Sequence, residues 1–226
     1  GWWSHGQSGP YLDPVKVMQP YLRERYDAYL AHALKDESSP LVDEPPVHVF
    51  AQGRNEWITA PRWPLREVTP RTLHLVPGTP EGQLASAAPT ANVSLTFRTD
   101  PASAEHSGLA FYTEKLDADL QLMGPIVVHL TLASQARDMD VYAVLFRPDG
   151  PTTPDAGFNL FGAMRARYRG GEAVPVSLLN PGEPFKVKLK FGPLGHRIKA
   201  GERLGLWITG ALPGGAVANS QAGAPI

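Results

Sequence analysis

One stretch near the start of the chain has the apolar spacing of an α-helix. From Tyr21 to Leu34, apolar residues recur every three or four positions, and charged residues such as Arg25 fall on the other side. Pro20 suits a first helical turn, where its missing N–H costs no hydrogen bond. The pattern therefore predicts a helix that begins at Pro20, after an irregular start, and ends near Lys35.

After Pro46 the apolar pattern changes to period two. In residues 185–191, apolar residues alternate with Lys186, Lys188 and Lys190, which predicts a strand with one buried face and one solvent-exposed face. Seven further apolar runs end near glycine or proline and are typical of short strands; they cover residues 47–51, 73–76, 93–97, 110–113, 126–132, 141–146 and 204–208. About eight to ten strands of this kind predict a mainly β domain, an antiparallel sandwich or jelly roll. The boundary of this domain is expected between Ser38 and Pro46.

Composition excludes several classes of function. The 226 residues include 21 Lys and Arg against 22 Asp and Glu, which argues against a nucleic-acid binder, because phosphate contacts need a basic patch. There is no cysteine, so disulfides, thiolate zinc sites and cysteine nucleophiles are excluded. No apolar run is long enough to span a membrane. The first residue is Gly1 and not Met, which predicts a processed chain or a piece of a larger protein.

His5 is the first candidate for chemistry. It lies in the Gly-flanked stretch Gly1–Gly6, and a loop histidine with a pKa near neutrality can act as a general base. Spacing alone favours the simpler interpretation of a surface histidine. Ser8 is not a nucleophile candidate, because Pro10 breaks the G-x-S-x-G pattern and no apolar strand precedes it.

Other polar residues have simpler interpretations. Asp138 and Asp140 share one side of an extended segment and could bind calcium, but an acidic turn before the next strand is the better interpretation, since calcium needs six or more oxygens. The seven histidines form no zinc-binding pattern, so we expect neither a metal nor a cofactor. The tryptophans Trp3, Trp57 and Trp63 are placed in loop-like sequence. They are candidates to line a substrate cleft or, preferably, to fill the seam between two domains.

The order of these segments resembles a known family. Gly1-Trp2-Trp3-Ser4-His5-Gly6 is similar to the loop that carries the catalytic histidine in CocE/NonD-type serine hydrolases, which include cocaine esterase, X-Pro dipeptidyl-peptidase and the α-amino-acid ester hydrolases. The helix that follows resembles the last helix of their α/β-hydrolase domain. The later matches keep the family's order and cover nearly the whole chain; they are 45–53, 69–75, 97–101, 124–130, 138–145, 165–169 and 198–204. Trp2, Glu202 and the last residues depart from the family pattern.

The resemblance implies a division of the chain and a function. Residues 1–44 would be the end of an α/β-hydrolase domain, and residues 45–226 a galactose-binding-like jelly-roll β-sandwich. His5 would accept the proton of a serine that lies, with its aspartate, in a missing N-terminal α/β-hydrolase domain. The intact protein would cleave small ester or peptide substrates through an acyl-serine intermediate. The β-sandwich would form one wall of the substrate cleft, and residues 1–226 alone would be inactive.

Alternatives remain open at this point. The chain could be a non-catalytic β-sandwich module that binds carbohydrate or a protein partner, since fold alone does not determine function. It could also be a purely structural domain that stabilises its neighbour. Association into a homo-oligomer and the compartment are left undetermined by the sequence, with the cytoplasm as the default expectation.

Overall fold

The computed structural model describes residues 12–51, 54, 56–78, 81–98, 108–148, 160–171, 173–192, 194–211, 219 and 221. In this part of the chain there is one α-helix, α1 (Leu12–Lys35), and short 3₁₀ turns at Pro40–Val42 and Ala166–Tyr168. Twelve strands follow: β1 (Val47–Ala51), β2 (Glu56–Ala60), β3 (His74–Val76), β4 (Gly82–Ala85), β5 (Gly108–Tyr112), β6 (Leu120–Gly124), β7 (Val127–Leu132), β8 (Asp140–Phe146), β9 (Leu160–Arg165), β10 (Phe185–Lys190), β11 (Leu194–Ile198) and β12 (Gly205–Thr209).

Helix α1 starts earlier than the sequence pattern predicts. It begins at Leu12, so Pro14 occupies the first turn and Pro20 lies inside the helix. The prediction was wrong because Pro14 meets the requirement for a first-turn proline equally well. The predicted end is confirmed: Asp36 adopts a left-handed backbone with φ 57°, and the N–H of Glu37 donates to the carbonyl of Ala31 over 3.4 Å. This hydrogen bond closes the last turn.

The chain divides into two compact units. The first comprises α1, the hairpin β1–β2 and most of β6 and β11, which pair with each other. In the hairpin, Phe50 pairs with Trp57 in an antiparallel register. Gly195 of β11 approaches this hairpin so closely that a Cβ there would lie 2.8 Å from the carbonyl oxygen of Phe50.

The second unit is a β-sandwich. Its larger sheet has six strands in the order β3-β4-β5-β12-β8-β9, antiparallel except for the parallel pair β4–β5. The smaller sheet is the antiparallel pair β7–β10. The two sheets meet where Gly162 of β9 faces Leu189 of β10, since a Cβ on Gly162 would lie 3.2 Å from the Cβ of Leu189. The core is built from apolar side chains on both sheets: Val141, Ala143, Leu145, Leu160, Val187, Leu189, Leu206 and Ile208.

The prediction of a mainly β sandwich is confirmed, and so is the alternation in β10. Val187 and Leu189 are buried, while Lys186, Lys188 and Lys190, which alternate with them, are exposed. The predicted strand at residues 93–97 is wrong in one respect: the segment is not part of any sheet formed by the described residues. Alternation defines a face, but a strand also needs a partner for its backbone groups.

Four strands were missed because their apolar patterns are short or interrupted by polar residues, namely β4, β6, β9 and β11. A fifth, β2, was also missed: Trp57 lies on this strand and not in a loop.

Candidate functional site

The candidate site residues divide into two groups. His5 and Trp3 lie outside the residues that the structure describes. Trp57 lies on β2, and Trp63 follows that strand and is half-buried. The surroundings of Trp57 therefore provide the site that can be built from contacts.

Trp57 joins helix α1 to the hairpin. Its ring stacks on the ring of Tyr21 with 4.1 Å between centroids and an interplanar angle of 21°, and the ring of Phe50 meets it edge-on at 5.4 Å. The indole Nε1 is buried and has no hydrogen-bond partner among the described residues. Aromatic pairs of this kind add about 0.5–1.5 kcal/mol beyond the apolar area that they bury. In this unit, Trp57 fills a seam between helix and hairpin.

Several polar side chains lie beside the stacked rings and contact one another. The Tyr21 hydroxyl is hydrogen-bonded to Nδ1 of His48, and the Arg25 guanidinium is bonded to the Glu44 carboxylate. His48 Nε2 lies 3.3 Å from an Arg25 nitrogen and 3.5 Å from Glu44 Oε2. We call Tyr21, Arg25, Glu44, His48 and Trp57 the seam cluster.

The seam cluster sets the ionisation of its members. The hydrogen bond from Arg25 lowers the pKa of the Glu44 carboxyl, and the same contact raises the pKa of Arg25. Burial raises the pKa of the Tyr21 hydroxyl. At neutral pH the cluster therefore contains a charged Arg–Glu pair and a neutral tyrosine, which suits a fixed contact between α1 and β1.

The sequence pattern placed Arg25 on the wrong face of α1. Arg25 faces the hairpin, and its side chain is only 23% exposed. Several residues of the predicted apolar face are exposed in this chain instead, namely Tyr26, Tyr29 and Leu34. The pattern could not reveal this, because ion pairing with Glu44 is a tertiary contact.

A second cluster lies in the sandwich unit. Asp138 is fully buried and accepts from Arg167 Nε at 2.7 Å and from the Arg167 backbone N–H at 3.1 Å. Arg165 donates from Nε to Asp140 Oδ1 at 2.8 Å and from a terminal nitrogen to Oδ2 at 3.1 Å. This bidentate contact raises the pKa of Arg165. Asn219 joins the two pairs, since its Nδ2 lies 3.2 Å from Asp138 and 2.9 Å from Asp140.

The sequence analysis treated these residues separately, with Asp138 and Asp140 as an acidic turn and residues 165–169 only as a segment similar to the family. A signal was present: Asp-x-Asp and Arg-x-Arg have the same period-two spacing, which lets two adjacent strand ends pair residue by residue. Because guanidinium and amide groups occupy the carboxylate oxygens, the arrangement is an ion-pair network and not a calcium site. Among the described residues no group of three histidine, aspartate or glutamate side chains could hold a metal ion. In the same part of the chain no helix is both long and apolar enough to cross a membrane.

The fold and these two clusters define a β-sandwich domain, preceded in the chain by a helix that contacts a β-hairpin. Residues 41–224 match the family model of the X-Pro dipeptidyl-peptidase C-terminal non-catalytic domain, and the chain belongs to this family. The match confirms the resemblance drawn from the sequence. No curated protein matches the chain significantly.

Solved structures show the same fold. An aminopeptidase from the marine sediment archaeon Thaumarchaeota archaeon is 22% identical with a TM-score of 0.71, over 91% of this chain and 39% of its own. A CocE/NonD family hydrolase from Staphylococcus aureus is 18% identical with a TM-score of 0.67, over 89% of this chain and 40% of its own. An α-amino acid ester hydrolase is 20% identical with a TM-score of 0.64, over 88% of this chain and 38% of its own. The chain thus spans about two fifths of the length of these proteins.

Proposed function

We propose that this chain is the C-terminal part of a serine hydrolase that cleaves ester or amide bonds through an acyl-serine. The observation that carries the proposal is the family match over residues 41–224, whose domain is described as the non-catalytic part of X-Pro dipeptidyl-peptidase. Further support comes from the names of the similar structures, an aminopeptidase, a CocE/NonD hydrolase and an α-amino acid ester hydrolase.

In this proposal His5 is the general base of the catalytic triad. It takes the proton of a serine hydroxyl as the oxygen attacks the carbonyl carbon, and it returns the proton to the leaving alcohol or amine. A water molecule, deprotonated by the same imidazole, then releases the acid and restores the serine. The serine and the aspartate that orients His5 come from an α/β-hydrolase domain in the preceding part of the protein.

The exposed side of helix α1 supports the proposed division, in which residues 1–44 are assigned to the hydrolase domain and residues 45–226 to the C-terminal domain. Tyr26, Tyr29 and Leu34 are 62, 60 and 77% exposed in this chain, although their spacing is that of a buried helix face. We propose that these three side chains pack against the α/β-hydrolase domain in the intact protein. The opposite side of α1 is held by the seam cluster, so the hairpin braces the helix that follows the His5 loop.

The test compares His5→Ala with His129→Ala in the intact protein, because His129 is exposed on the outer face of β7. Loss of the base should lower kcat for an aryl ester by about 10⁴-fold or more, whereas the His129 variant should stay within twofold. Labelling by a fluorophosphonate, which requires an activated serine, should fall in parallel.

Two results would contradict the proposal. One is a His5→Ala variant that retains full turnover and labelling while its melting temperature is unchanged. The other is robust ester hydrolysis by residues 1–226 expressed alone, since the nucleophile is assigned to the rest of the protein.

A further inference from the structure

A large cavity lies within the β-sandwich unit. Its volume is about 850 Å³. One wall is the inner face of the six-stranded sheet, and the other is formed by β7 and the residues after it. The apolar lining comes from both sheets and includes Leu75, Leu109, Phe111, Leu130, Leu132 and Ile208.

The extended segment Val93–Arg98 forms a third wall. Its apolar residues alternate with polar ones as in a strand, yet it forms no ladder with any other described residue. Val93 and Leu95 line the cavity and are 58% and 38% exposed. These two apolar side chains therefore face the cavity and are not packed into the core. Their exposed apolar area is available for a ligand to cover.

The cavity wall also carries polar side chains, among them Ser94, Thr96, Thr131 and Gln221. Arg98 ends the third wall and lines the cavity. None of the ion pairs formed between described residues includes its guanidinium. Ser134 and Gln135 follow β7 and add a hydroxyl and an amide to the lining. One cation beside a long apolar wall is the arrangement that recognises an amphipathic anion.

We propose that this cavity binds a carboxylate with an elongated apolar tail, the tail lying along Val93, Leu95 and Leu109 and the carboxylate on Arg98. The volume is within the range of about 300–1,000 Å³ typical of ligand pockets. Filled with water, it would hold roughly 28 molecules, taking about 30 Å³ for each, and those beside the apolar side chains find no hydrogen-bond partner in the wall. An aliphatic tail replaces that water with dispersion contacts. The site is separate in chemistry from the acyl-serine step and does not depend on it.

Binding can be measured on the intact protein with 11-(dansylamino)undecanoic acid, displaced by decanoate or by 1-decanol. We expect saturable binding that Arg98→Gln weakens about tenfold for decanoate and leaves within twofold for 1-decanol, which has no charge. Lys188→Gln is the matched control, since Lys188 lies on the outer face of β10 opposite exposed His129 and its loss should change neither affinity.

A second variant tests whether the ligand binds inside the sandwich. Ala133 lines the cavity at an exposed position, so Ala133→Trp fills the space without disturbing the buried core, and it should weaken both ligands at least tenfold. Circular dichroism melts confirm that each variant is folded. The assignment is overturned if no saturable binding occurs below about 1 mM, if Arg98→Gln weakens both ligands equally or neither, or if Ala133→Trp binds as the unmodified protein does.

Discussion

Removal of the Asp138 carboxylate probes the ion-pair network most directly. Asp138 is fully buried and accepts from Arg167 at 2.7 and 3.1 Å and from Asn219 at 3.2 Å. The Arg167 side chain is only 10% exposed, so Asp138→Ala leaves a nearly buried cation without this carboxylate. Breaking a buried pair in this way costs about 3–5 kcal/mol. We take about 3 kcal/mol, because Asn219 keeps its bond to Asp140.

Hydrogen–deuterium exchange of the β8 and β9 amides is the suitable assay, because exchange of core amides reports the opening free energy of their own unit. A loss of about 3 kcal/mol lowers their protection roughly 150-fold. The double variant Asp138→Ala/Arg167→Met removes the cation as well. It should therefore lose about 2 kcal/mol less than the sum of the two single variants.

The exposed pair Arg23–Asp27 is the control. Its atoms are 3.9 Å apart and its side chains are 85% and 67% exposed, so Asp27→Ala should change stability by less than about 0.5 kcal/mol. The reasoning is refuted if Asp138→Ala lowers protection less than about fivefold, or if the double variant loses the full sum of the single effects.

Two further predictions concern stability. The hydrogen bond from Arg25 lowers the pKa of Glu44 in the folded protein, so the pair stabilises the first unit at neutral pH, and this contribution is lost as pH falls through the folded pKa. Glu44→Gln should therefore flatten the fall of melting temperature between about pH 6 and pH 3. An unchanged slope would count against the pair. A Cβ on Gly205 would lie 2.6 Å from Cζ of Phe146, so Gly205→Ala should destabilise the sandwich by about 1–3 kcal/mol in urea unfolding. The control Gly192→Ala, with nothing within 4 Å of its Cβ, should stay within about 0.5 kcal/mol, and equal effects of the two would contradict the packing argument.

Period-two alternation was the most reliable guide along the chain. It predicted β10 with its buried and exposed faces, while short apolar runs that end near glycine or proline predicted β1, β5, β7, β8 and β12. These strands are recognisable because each buries apolar side chains within its own unit, so local pattern and tertiary burial agree. The end of α1 was also predictable, since the polar residues after Lys35 stop the helix whatever packs against it.

Other features depended on partners distant in sequence. Val93–Phe97 has a strand pattern but lies outside every described sheet, because pairing depends on whether another strand offers its edge. Trp57 was assigned to a loop because the glycine and proline residues around it obscure a five-residue strand. His5 was identified by resemblance to a family and stays a prediction, since it lies outside the described residues.

The sequence by itself determined the mainly β sandwich, the helix that precedes it and the family, because burial periodicity and ordered motifs are local properties of the chain. Only the tertiary structure decided which charges meet. Arg25 contacts Glu44 and His48, and two arginines pair with two aspartates at the adjacent ends of β8 and β9. An ion pair forms where the fold brings opposite charges out of water together, and the linear order of residues does not encode that proximity.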